Sequence, residues 1–129
     1  MGLDMNVMRT SAKLPAAVDF ETHDQEGNAL FPHADFWYWR KHPNLHGWMD
    51  ALYREKGGED AEFNCVPVQL TAEDLDALET AVSEGSLPHT EGFFFGRSTG
   101  DEKDDDLAFI AKAREVLASG ESLFYVSSW

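Results

Sequence analysis

Between Asp35 and Trp48 the chain reads DFWYWRKHPNLHGW, and no other stretch limits the fold as tightly. Read as a helix, it puts Tyr38, His42, Leu45, Met49 and Leu52 at steps of three and four, on one shared face. Trp39, His42, His46, Met49 and Tyr53 form the next stripe round, and Arg40, Lys41 and Asn44 point elsewhere. The pattern predicts a mostly buried helix with polar groups at its edge. Asp35 is its expected N-cap, and it should run to about Lys56, where Gly57-Gly58 stops it. Pro43 interrupts that helix. Inside a helix it removes one hydrogen bond and clashes with the carbonyl of Trp39, at a cost of ~3 kcal/mol. Either Pro43 opens a second helix as its first residue, with His42 near the cap, or one helix kinks there. In both cases the break falls beside His42 and His46.

On either side of this stretch the patterns are simpler. Met1 to Arg9 alternates, with Leu3, Met5 and Val7 on one face, and reads as a half-buried strand. Val18, Phe20 and Thr22 alternate again, and the turn HDQEGN leads into a returning arm at Ala29 to Phe31, which predicts a hairpin. Phe63 to Leu70 is rich in strand formers, and Pro67 makes it an edge or bulged strand. Thr71 caps a helix whose buried stripe is Leu75, Leu78 and Val82, closed by Gly85. Phe93 to Phe95 is a short apolar run, read as a brief strand or an extended pocket wall. The acids from Asp101 to Asp106 suit the positive end of a third helix, with Leu107, Ile110 and Leu117 inward, Phe109 and Val116 beside them, and Gly120 as its cap. Leu123 to Ser128 is the last strand, and it is expected to pair with the first. The predicted fold is α+β: one domain over residues 1–129, a mixed and largely antiparallel sheet, and three helices mainly on one face.

Charge and cysteine usage narrow the function classes. The 129 residues carry 24 acids against 10 bases, a net charge of −14. Nucleic acid and anionic membranes need basic surfaces, so neither is an expected partner. Cys65 is the only cysteine, which excludes an internal disulfide and fits a reducing cytoplasm. No apolar stretch approaches the ~20 residues of a membrane span, and no signal peptide is visible.

Candidate sites are few. His42 and His46 are one turn apart, a possible metal-ligand spacing, but Pro43 disturbs the geometry and the Glu of HExxH is lacking. The acids Asp101, Glu102, Asp104, Asp105 and Asp106 could hold Mg²⁺ or Ca²⁺, though their spacing is not that of an EF-hand, and a solvated helix start explains them. Gly96-Arg97-Ser98-Thr99-Gly100 could present N–H groups to an anion, but it lacks the P-loop lysine pattern. Cys65 reads as core rather than nucleophile, and Ser127 and Ser128 have no G-x-S-x-G context. No cofactor or bound metal is expected.

MGLD at the start, YWRKHPNLHGW in the middle, GFFFG before the acids and FYVSSW at the end resemble a family of small, uncharacterised bacterial and phage proteins. The likeness runs through most of the chain in the same order. It implies that Trp39, Arg40, Lys41, His46, Trp48, Phe94, Gly96, Ser128 and Trp129 are signature positions, but it names no chemistry. Some members are labelled phosphoglycerate kinase, which a chain this short, without a basic glycine-rich phosphate site, does not support.

Two functions are carried forward. One is a non-enzymatic module binding a small molecule or a protein partner. Trp39, Trp48, Phe94 and Trp129 would line its aromatic pocket, with Arg40 and His46 as polar anchors. Arg40 is expected to pair with an acid of residues 101–106 or with the C-terminal carboxylate. The alternative is a metal-assisted hydrolase or transferase with His46 as general base and Asp101 or Asp105 holding the cation.

Overall fold

The structure, a computed structural model, describes residues 2–92, 96–99 and 101–129. Among the described residues there are four strands, β1 (Asp4–Thr10), β2 (Ala34–Arg40), β3 (Val68–Leu70) and β4 (Ser122–Ser128). The three helices are α1 (Pro43–Glu55), α2 (Ala72–Glu84) and α3 (Lys103–Ala118). The sheet order is β2-β1-β4-β3, and every pairing is antiparallel. The protein is thus α+β, as the patterns predict, with the first and last strands paired from Asp4↔Ser128 to Thr10↔Ser122.

Alternation sorts the two faces of the sheet. Leu3, Met5, Val7, Leu123 and Tyr125 are buried on the face that the helices cover. On the other face Phe124 packs with Leu14 and Phe20 from the long loop after β1, and Met8 and Phe31 add to that smaller cluster. This packing is why the predicted hairpin does not extend. Phe20 and Phe31 turn onto Phe124, with ring centroids 5.4 and 6.1 Å from it, and only an isolated bridge, His23↔Ala29, closes the turn. Asp24 stabilises that turn by accepting the backbone N–H groups of Glu26 and Asn28.

The aromatic stretch divides where Pro43 stands. Pro43 is the first residue of α1 and His42 its N-cap, the first of the two readings. Residues 34–40, however, are a strand and not a helix. Trp37 and Trp39 pair with Val7 and Met5 and face the helices, while Tyr38 is 54 % exposed on the other side. Lys41, at φ +56°, makes the sharp turn from strand to helix. Beyond Pro67 the next strand is cut to Val68–Leu70 at the sheet edge, because Phe63 and Cys65 have positive φ and break the extended run. Cys65 is exposed, contrary to the core reading.

α2 starts on a capping box: Asp74 N–H donates to Thr71 Oγ1, and Thr71 N–H donates to Asp74 Oδ2. It lies against α3, where Arg114 donates to Asp76 and to Glu79 at 2.7 and 3.0 Å. The inward stripe of α3 is Asp106, Phe109, Ile110, Ala113 and Val116. Leu107 and Leu117 are only partly buried, so the stripe is rotated from the expected one and begins with a carboxylate.

Arg40 lies at the exposed end of β2. Its Nη1 is 3.3 Å from Oδ1 of Asp4, its cross-strand neighbour, and the two side chains are 49 % and 40 % exposed. The acid it meets is therefore neither in the run 101–106 nor at the C-terminus. An exposed ion pair contributes ~0–1 kcal/mol. Arg40→Lys is expected to change unfolding free energy by less than ~1 kcal/mol. Urea titration of the two proteins checks this, and a larger loss would mean that the guanidinium carries packing.

Candidate functional site

The sharpest chemistry lies where β2, α1 and α3 meet. Pro43 disfavours helical backbone at the residue before it, and His42 sits outside the helical region at φ −109°, ψ 73° with no capping bond from its own side chain. The ring instead turns inward and is 4 % exposed. The cap for α1 comes from elsewhere: Asn44 N–H donates to Ser98 Oγ at 3.1 Å. Ser98 Oγ is also 2.7 Å from His42 Nδ1, and His42 Nε2 is 2.8 Å from Asp106 Oδ2. Trp39 Nε1–H donates to the other oxygen of Asp106 at 3.0 Å. The Asp106 carboxylate can only accept, which assigns the proton of the neutral imidazole to Nε2 and leaves Nδ1 to accept the Ser98 hydroxyl proton. In this arrangement each named donor in the group meets an acceptor.

Asp106 is 2 % exposed. Its place follows from the pairing of two aromatic residues with two acids. Trp37 and Trp39 project from the same face of β2, and their indole N–H groups reach Asp105 and Asp106 at the start of α3. Both indoles pack on Phe109 one turn further on, with centroids 5.7 and 4.8 Å away. Glu102, the N-cap of α3, puts Oε2 3.8 Å from His42 Nδ1. A cavity of about 160 Å³ opens here, lined by His42, Asn44, Ser98, Glu102, Lys103 and Asp106 with Val82, Gly85 and Leu87. Gly85 ends α2 at φ +67°, a left-handed position that suits glycine, and this turns the chain to put Leu87 on the cavity wall. Gly47 lets the loop around Thr90 close over α1, since a Cβ there would lie 1.9 Å from Thr90 Oγ1. Thr90 N–H donates to Asn44 Oδ1 at 3.0 Å in that contact.

Among the described residues, those expected to form an aromatic pocket do not line this cavity. Trp39 is in the core against Phe109. Trp48 borders a separate hollow of about 470 Å³ with Leu52, Lys56 and Glu73. Trp129 is tied to Asn64 and to the Phe63 carbonyl. Arg40 is on the far side of the sheet, and Phe94 lies outside the described residues, as do Phe93 and Phe95 of the expected pocket wall. His46 is 3 % exposed, stacked on Phe63 at 5.1 Å, with Nδ1 2.7 Å from Tyr125 Oη. Burial lowers its pKa to about 4 and raises that of the Tyr125 phenol well above the ordinary value. The histidine that meets the acidic run is His42. Among the described residues no group of three His, Cys, Asp or Glu side chains could hold a metal ion. Nor is any helix of those residues long and apolar enough to cross a membrane.

Sequence reasoning reaches His42, Ser98 and Asp106 only as parts of three separate features. One signal was available for Asp106. The stripe Phe109, Ile110, Ala113 extends back by three and four residues onto position 106, so the carboxylate there had to be buried and partnered. Comparison with protein-family models, curated proteins and solved structures gave no match.

Proposed function

We propose that the protein is a small-ligand-binding module whose site is the cavity at the start of α1. This keeps the binding reading and moves it from an aromatic pocket to a mixed one. The observation that supports it is the fixed polar group Ser98–His42–Asp106, set in a concave site with Val82 and Leu87 on its apolar side. Apolar walls with a few convergent, pre-oriented polar groups are the usual make-up of ligand sites. At about 160 Å³ the cavity is smaller than the ~300–1,000 Å³ of pockets for drug-sized ligands, so its ligand would be a small one. A cytoplasmic location, no nucleic-acid partner, and membership of the family its motifs resemble belong to the same proposal. Net charge of −14 and the single cysteine support the first two.

A mixture of small polar metabolites screened by two-dimensional amide NMR tests the site. Shifts are expected at Asn44, Ser98, Glu102 and Lys103, and they should vanish in Leu87→Trp, which fills the cavity, with little change in melting temperature. Shifts that persist in Leu87→Trp, or that fall only elsewhere, would remove the cavity from consideration.

A further inference from the structure

We infer that Ser98 is a nucleophile that takes the acyl group from small esters, with His42 as its general base and Asp106 as the residue that positions His42. The inference rests on the cavity being a ligand site, and it adds a chemical step that binding alone does not need.

A serine hydroxyl becomes nucleophilic when a base stands ready for its proton and a third group orients the base. Ser98 Oγ is 2.7 Å from His42 Nδ1, within the range for proton transfer. The Asn44 N–H occupies one lone pair of Oγ, and with the hydroxyl proton on Nδ1 the other is left to attack. Asp106 holds the other ring nitrogen at 2.8 Å and is itself held by the Trp39 indole, so the carboxylate cannot swing away. The two ring nitrogens are exchanged relative to the most familiar Ser-His-Asp arrangement, but such groups are recognised by geometry and roles. A serine that only capped α1 would need an acceptor oxygen and nothing behind it. Glu102, 3.8 Å from Nδ1, adds a second carboxylate to stabilise the imidazolium that forms when the proton moves.

The surroundings indicate the class of ester. Ser98 and Asn44 line two hollows, the one of about 160 Å³ with Val82 and Leu87 and another of about 360 Å³ with Thr90 and Arg97. A substrate across Ser98 would place a short aliphatic acyl group on the first and a polar alcohol in the second. Oγ attacks the carbonyl carbon as its proton passes to Nδ1, and the carbonyl π pair moves onto oxygen. Collapse of that adduct breaks the carbon–oxygen bond to the alcohol, which leaves with the proton from His42. Water, deprotonated by His42, then attacks acyl-Ser98. The acid departs, Ser98 recovers its proton, and the balance is ester plus water to acid plus alcohol.

The folded wild-type chain is treated with a fluorophosphonate and, separately, with p-nitrophenyl acetate. One fluorophosphonate adduct per chain on Ser98, found by intact mass and peptide mapping, is expected, with a burst of p-nitrophenolate approaching one equivalent. Ser98→Ala should abolish both, and His42→Gln should slow labelling at least 100-fold while its circular dichroism stays native. Absence of an adduct on Ser98 in excess probe overturns the inference, as does equal labelling of a folded His42→Gln protein. If metabolites still shift the cavity amides without labelling, the binding site stands and the nucleophile falls. If neither occurs, both fall.

Discussion

Acidification from pH 7 to pH 4 is expected to cost the fold about 3 kcal/mol through His46 alone. The ring is 3 % exposed, lies on Phe63, and meets the Tyr125 hydroxyl at Nδ1. Burial lowers its pKa from 6.5 to about 4. The folded value lies below the unfolded one, so the stability is complete above pH 6.5. As the pH falls, the unfolded chain takes up a proton that the folded chain refuses. Stability is therefore lost between about 6.5 and 4, and this contribution levels off below that. The slope inside the window approaches ~1.4 kcal/mol per pH unit. Small domains have only ~5–15 kcal/mol in total, so the effect is large. Urea melts of wild type and His46→Gln, taken each half unit from pH 7.5 to 5, isolate it before most carboxylates titrate. The wild-type curve should fall more steeply with decreasing pH by nearly one proton's worth. Parallel curves would mean that the folded state lets His46 ionise.

The strands and helices that could be read from sequence are those where one period stands alone. Leu3, Met5 and Val7 alternate with polar residues and have no helical alternative. Thr71 with Asp74 is a local capping signal that needs no tertiary partner. Residues 34–40 satisfied both periods: Trp39 fits a stripe with His42 and His46, and it also alternates with Trp37. Aromatic enrichment favours a strand in such a tie, and Pro43 already offered a boundary. The site was hidden for a different reason. Ser98 and His42 are 56 positions apart and His42 and Asp106 are 64 apart, so only the packing of α3 on β2 brings them together. What could be read was the buried position of Asp106, and that alone demanded a donor from elsewhere.

That carboxylate supports the second large effect. Asp106→Ala would leave the buried Trp39 indole N–H and His42 Nε2–H without their acceptors. Each unsatisfied buried donor costs ~1–3 kcal/mol, so a loss of about 2–6 kcal/mol is expected for the two. Asp106→Asn should behave quite differently. Its amide oxygen can keep the Trp39 bond while its NH₂ donates to His42 Nε2. The imidazole then shifts its proton to Nδ1 and donates it to the second lone pair of Ser98 Oγ. The chain of hydrogen bonds is reversed, not broken, and the expected loss is only ~1 kcal/mol. That reversal takes from Ser98 the imidazole lone pair that would accept its proton. Asp106→Asn is therefore expected to be folded, to melt near wild type, and to resist the fluorophosphonate. Urea denaturation and labelling on the same samples separate the two effects. An Asp106→Ala protein within 1 kcal/mol of wild type would show that water reaches the group. A folded Asp106→Asn protein that labels at the wild-type rate would leave the carboxylate a structural role alone.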